Sequence, residues 1–103
     1  RGRGWPLVLK SDREGYWFVG RIQKGSSAAR VGGVEVGDSV RECQGFSLFR
    51  KSHRDLAALL EGEAGTIVTL GVWDVDAGVM RQVEIPRGYT AKDREEAEEG
   101  EEE

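Results

Sequence analysis

The sequence predicts a mainly β domain with two helices (α+β): a small antiparallel barrel or sandwich capped by one short and one longer helix. Three observations carry this. Short runs rich in aromatic and β-branched residues recur along the chain, separated by glycine-containing turns. One stretch alone, SHRDLAALLEG (52–62), follows the helical period. After it come two runs of alternating apolar residues joined by DVDAG, the pattern of a final hairpin. Faces of this kind are buried by closing the sheet on itself beneath helical caps.

In chain order, Trp5 to Lys10 (WPLVLK) reads as a strand, with Pro6 confining it to a strand start or to a position where one backbone side lacks a bond. Ser11 to Gly15 is turn-like, and Tyr16 to Ile22 (YWFVGRI) is the partner strand. Trp17 and Phe18 fall on opposite faces of it, so one of them belongs to the core. Ser26 or Ser27 caps a very short helix, Ala28 to Val31, ended by Gly32-Gly33. Val34 to Asp38 leads into a strand at Val40 to Cys43. Gln44-Gly45 turns the chain, and Phe46 to Phe49 is a short extended piece. Ser52 is a good N-cap for the longer helix, with Asp55 suited to its first turn and Gly62 as its stop. Thr66 to Trp73 places Val68, Leu70 and Val72 on one face. Val79 to Ile85 does the same with Val79, Val83 and Ile85, and Pro86 closes it. Asp74 and Asp76, in the loop between, read as turn residues rather than metal ligands.

Charge divides the chain. The net charge is -4, yet residues 93–103 (DREEAEEGEEE) hold eight acids and one Arg, which leaves 11 acids against 14 Lys and Arg before them. The expected organisation is one domain over residues 1–88 and an acidic, disordered tail over 89–103, because like charges repel and bury nothing. The body is too weakly basic to indicate nucleic acid as a partner. No apolar run approaches the length of a membrane span. A single cysteine, Cys43, makes no internal disulfide and reads as a buried, inert thiol. With one histidine besides, the chain has too few ligands for a zinc-type site, and no cofactor is expected. The expected compartment is intracellular and cytoplasmic.

The opening RGRGWPLVL admits three readings: an Arg-Gly nucleic-acid box, a phosphate loop, or a loop shaped to hold a carboxylate. Interleaved aromatics and length are missing for the first. For the second, no Gly-Lys-Ser/Thr follows and no helix opens there.

GSSAARVGGVEVGDSVRECQG (25–45) resembles the centre of a PDZ domain. Gly25, Ser26 and Ala28 match that family's Gly-Ser-Pro-Ala; Gly37, Asp38 and Val40 match its Gly-Asp-x-Ile; Cys43, Gln44 and Gly45 stand for Val-Asn-Gly. SHRDLAALL resembles its second helix, and the likeness in order and spacing runs over residues 2–86. The C-terminal strand Val79 to Ile85 is similar to the arrangement in PDZ domains of C-terminal processing and other bacterial-type proteases. There the last strand fills the slot of a missing first strand and covers an edge that would otherwise stay unpaired. The alternative is that Val79 to Ile85 packs elsewhere.

The resemblance implies a peptide-binding function by strand addition between the second strand and the second helix. Gly2-Arg3-Gly4-Trp5 takes the place of the carboxylate loop, with the amides of Arg3, Gly4 and Trp5 converging on a terminal carboxylate. Trp5, Leu7 and Leu9 form the strand edge. Pro6 turns its nitrogen toward the third strand and leaves the peptide edge intact. His53 is placed to accept a hydroxyl from Ser or Thr two residues before the ligand's end. Ala57 and Leu60 share its helix face and line the terminal pocket with Trp5 and Leu7, while Leu56 and Leu59 turn inward. Arg3 departs from the family, which has an apolar residue there. It covers the pocket with its stem, adds charge beside the carboxylate, or closes the pocket.

The implied partner is a C-terminal or internal peptide segment of another protein. Two alternatives stand beside capture of C-terminal tails: a substrate-recognition or regulatory PDZ segment of a larger serine protease, and a scaffold or cytoskeletal docking domain with a vestigial groove. No nucleophile–base pair is recognisable, so the chain is expected to be non-enzymatic.

Overall fold

A computed structural model describes residues 5–26, 28–29 and 32–87. The expected tail, 89–103, and the loop residues Arg3 and Gly4 lie outside the described residues. Six strands form one antiparallel sheet: β1 (Leu7–Ser11), β2 (Trp17–Ile22), β3 (Ser39–Cys43), β4 (Phe46–Ser47), β5 (Ile67–Asp74) and β6 (Val79–Pro86). The sheet order is β1-β2-β3-β5-β6, with β4 paired to β3. One helix, α1 (His53–Leu60), is complete among the described residues. Of the expected short first helix, Ala28 and Ala29 are helical, Ser26 Oγ accepts from the Ala29 amide, and Gly32 N–H donates to Ala28 O. Its other residues lie outside the described set.

The core forms where the inward faces of the strands meet. Leu7 and Leu9 of β1, Trp17 and Val19 of β2, and Val40 and Cys43 of β3 are buried. So are Val68, Leu70 and Val72 of β5, and Val83 and Ile85 of β6. Leu56 of α1 closes this layer. Alternation therefore holds for β5 and β6 with one correction: Val79, expected on the inward face, is 52% exposed. It pairs with Asp74 at the hairpin's end, beyond the core. The C-terminal strand does not pack elsewhere; it pairs with β5 over its whole length, from Ile67↔Pro86 to Asp74↔Val79.

Asp12 holds the first turn by accepting from the amides of Glu14, Gly15 and Tyr16. Strand pairing starts one residue later than expected, at Trp17, because the Tyr16 backbone closes this turn. Gly15, at φ +103°, lies against Arg50: an added Cβ would fall 2.6 Å from Arg50 Cγ and 3.1 Å from its backbone. Gly15→Ala is expected to cost about 1–2 kcal/mol, since the left-handed conformation is itself unfavourable for a side chain by that much. Chemical denaturation measures it.

Cys43 is fully buried, and burial pushes its thiol pKa up against an opposing pull from Arg87. The folded pKa therefore lies above the unfolded one. Below the unfolded value, about pH 8.5, both states hold the proton and its contribution is intact. As pH rises past that value the unfolded chain ionises first, and stability falls until the folded pKa is passed, by at most ~1.4 kcal/mol per pH unit. Stability measured from pH 7 to 10 should fall less steeply in Cys43→Ala than in the unmodified chain.

Candidate functional site

β1 is the last strand on its side of the sheet, and no described strand pairs with its outer edge. Which backbone groups face that edge follows from the β1–β2 register. Pro6 O accepts from Gln23 N at 2.8 Å, so Pro6 turns its backbone toward β2 and its missing N–H costs no bond on the free side. Val8, opposite Arg21, follows the same parity. Leu7, between them, directs its N–H and C=O outward. A bulge then shifts the register between Val8 and Leu9, leaving Gly20 as the additional residue of β2. Beyond it Asp12 bonds Tyr16, which again places Leu9 on the outward parity. The free edge thus offers the donors and acceptors of Leu7 and Leu9, while their side chains are in the core, Leu7 only 3% exposed.

α1 is fixed at both ends. Ser52 Oγ accepts from the Asp55 amide and the Asp55 carboxylate accepts from the Ser52 amide, a reciprocal capping box. At the other end the Arg87 guanidinium donates to Leu60 O at 2.7 Å and to Leu59 O at 3.4 Å, and also to Thr66 Oγ1 at 2.8 Å. A cation on the last carbonyls of a helix satisfies orphan acceptors and complements the dipole.

Between these clamps His53, Ala57 and Leu60 share one face by spacing. His53 and Ala57 are exposed, and Leu60 is half-buried against the core. Leu56 turns inward, whereas Leu59 is only half-buried. The His53 ring meets Trp17 edge-on, with centroids 4.9 Å apart and planes at 78°. That contact fixes the imidazole against a residue 1% exposed, and among the described residues no hydroxyl or thiol is hydrogen-bonded to it. Trp5 is half-buried against the core, and its Nε1 is buried without a hydrogen-bond partner, as is that of Trp17.

Sequence reasoning named this helix face and this strand edge as the site and did not name Arg87 or the Trp17–His53 contact. Both link elements far apart in the chain and become visible only once sheet order is known. Among the described residues no cluster of His, Cys, Asp or Glu has the composition of a metal site. No helix there is long and apolar enough to cross a membrane.

No family model matches the chain. Curated proteins are similar to parts of it, two of them as follows. Membrane-associated guanylate kinase, WW and PDZ domain-containing protein 3 of Mus musculus is 41% identical over 54 residues, 52% of this chain and 4% of that protein. Protein lin-2 of Caenorhabditis elegans is 33% identical over 61 residues, 59% of this chain and 6% of that protein. The chain therefore spans a small fraction of the length of either relative. Among solved structures, the PDZ domain of the carboxy-terminal protease from Vibrio cholerae, in complex with peptide, superimposes with a TM-score of 0.71 at 21% identity. It covers 82% of this chain and 91% of that one. The photosystem II D1 C-terminal processing protease gives a TM-score of 0.72 at 22% identity, over 86% of this chain and 24% of that one. The described residues thus have the PDZ fold, with the C-terminal strand arrangement similar to that of the C-terminal processing proteases.

Proposed function

We propose that this domain captures C-terminal peptide tails by adding them as a strand to the outer edge of β1, beside α1. The observation that carries the reading is the free edge itself: Leu7 and Leu9 turn unpaired backbone groups outward while Pro6 spends its missing donor on the other side. In this reading the amides of Arg3, Gly4 and Trp5 receive the terminal carboxylate. Ala57 and Leu60 bound the site of the last, apolar side chain. His53, braced by Trp17, selects Ser or Thr two residues earlier. The Vibrio cholerae PDZ domain of the same fold was solved with a peptide, which supports a peptide as the class of ligand.

The test is titration of a short peptide with Thr two from its end and an apolar last residue, as free acid and as C-terminal amide. Losing the charge-assisted bonds, about 1.5–3 kcal/mol each, should weaken the amide by at least about tenfold. Equal binding of the two forms, or none, overturns the proposal.

A second reading rests on the protease neighbours: the domain is the substrate-recognition segment of a larger serine protease. It shares the binding chemistry and differs in context. A serine protease domain flanking this segment in the parent chain supports it, and an unrelated flank removes it.

A further inference from the structure

Away from the β1 edge, five side chains form a continuous row of rings and guanidinium groups. β3 carries a bulge at Arg41: Val40 pairs with Val72 and Glu42 with Gly71, which leaves Arg41 as the additional residue. Such bulges redirect a side chain. The Arg41 guanidinium stands 5.1 Å from the Tyr16 ring centre and 5.2 Å from that of Trp73. Tyr16 in turn meets Phe49 at 4.9 Å, and the Arg50 guanidinium lies 5.4 Å over Phe49. Tyr16 and Phe49 are 38% and 46% exposed. A cavity of about 220 Å³ opens beside the row, with Tyr16, Arg41, Phe49 and Met80 in its wall and Glu42 as its one acid.

Neither arginine of this row is in an ion pair among the described residues. Among the described residues the ion pairs are those of Arg81 with Asp38 and Asp74. Arg41 donates to Ser39 Oγ, a neutral acceptor, and its guanidinium lies over two rings. With Trp73 it also borders a second cavity, of about 650 Å³, whose wall includes Glu35, Asp38, Asp74 and Asp76; the ion pairs of Asp38 and Asp74 are with Arg81. A planar guanidinium in that setting keeps donors for a carboxylate.

The same chain carries the complementary group. Residues 93–103 contain eight acids and one Arg. From Arg87 back along β6 to Met80, which faces Trp73 across the hairpin, is about 23 Å at ~3.3 Å per residue. Residues 88–103 extended span up to ~50 Å, so the acidic block reaches the row. Tethering holds it there at an effective concentration on the order of millimolar.

We propose that the acidic segment 93–103 docks in cis on the Trp73–Arg41–Tyr16–Phe49–Arg50 row. Its carboxylates then form the direct ion pairs that Arg41 and Arg50 do not make within the described residues, and it covers the exposed rings. This surface is distinct from the β1 edge, so the proposal stands or falls independently of the peptide-binding reading.

The test uses the whole chain with a nitroxide spin label on Glu103→Cys; buried Cys43 is protected from the reagent. The expected result is selective broadening of the amide signals of Tyr16, Arg41 and Phe49 at low ionic strength. It should disappear at about 1 M salt, where the Debye length falls to about 3 Å. It should also disappear when the seven tail acids left in the labelled chain are changed to their amides, and in Arg41→Gln/Arg50→Gln. Four outcomes overturn the proposal: no broadening, broadening centred on Leu7 and Leu9, broadening at the row that survives high salt, or broadening that arises only between mixed labelled and unlabelled chains. The last would assign the row to the tail of a second copy.

Discussion

Trp17→Ala is expected to produce the largest loss of stability of any single change in this domain, about 3–5 kcal/mol. Trp17 is the largest of the fully buried side chains, and it joins three parts of the molecule. Its backbone pairs with Ser11 on β1 and Val40 on β3, and its ring carries His53 of α1. At about 4–8 °C per kcal/mol for a domain of this size, Tm falls by about 12 °C or more. Trp17→Phe separates packing from polarity. The indole Nε1 is buried without a partner, and an unsatisfied buried donor costs about 1–3 kcal/mol. Replacing the indole by a phenyl ring loses area but also removes that penalty, so Trp17→Phe should cost under about 2 kcal/mol. A cost equal to that of Trp17→Ala would mean the indole N–H has an acceptor after all. Trp17→Leu adds the functional readout: it removes the ring that holds His53, so preference for Thr over Val two from the peptide end should fall toward that of His53→Ala. Binding through the β1 edge should remain.

That experiment bears on how much of the molecule was legible in the sequence. The strand edge and the helix were legible because each is written in local chemistry. Pro6 has no donor to give, and Ser52 and Asp55 are three residues apart, as a capping box requires. Leu56 follows the helical period into the core. Alternation placed Val68, Leu70, Val72, Val83 and Ile85 correctly but not Val79, since period two reports a face and not how far the core extends along it. The bulges at Gly20 and Arg41 were not legible. Each is a mismatch between two strands, fixed by partners such as Val8–Leu9 and Val72–Gly71 that no local pattern names. The Tyr16–Arg41–Trp73 row follows from the second bulge and was hidden with it. Of the proposed site, the outward backbone of Leu7 and Leu9 is a matter of strand parity, while His53, Ala57 and Leu60 were named by helical spacing and by the likeness to the PDZ second helix. The partner that braces His53 depended on sheet order.

Arg87 is the clearest case of long-range dependence, and Gly62 shows how to measure it. The sequence marks Gly62 as a helix stop, and the usual reason would be a left-handed conformation. Here the reason is different: Gly62 is not in that region, but an added Cβ would lie 2.6 Å from Arg87 Cζ and Nη1 and 2.7 Å from Nε. The glycine leaves room for the guanidinium that caps α1. Arg87→Ala should therefore cost about 2 kcal/mol, the scale of charge-assisted bonds to helix carbonyls that are only part-buried. Arg87→Lys should recover only part of this, since one ammonium cannot reproduce the fork spanning Leu60, Leu59 and Thr66. Gly62→Ala should also destabilise, by about 1–2 kcal/mol, because it expels the same guanidinium. In the Arg87→Ala background the clash is gone, and what remains is the reduced entropy of the unfolded chain, worth about 0.4–1 kcal/mol in favour of alanine. The effect of Gly62→Ala should thus change sign between the two backgrounds, a coupling that a double-mutant cycle by urea denaturation reads directly. Additive costs would show that Gly62 serves another purpose. Peptide affinity should follow the same pattern, because α1 forms one wall of the proposed groove and Arg87 ties its last turn, through Thr66, to the start of β5.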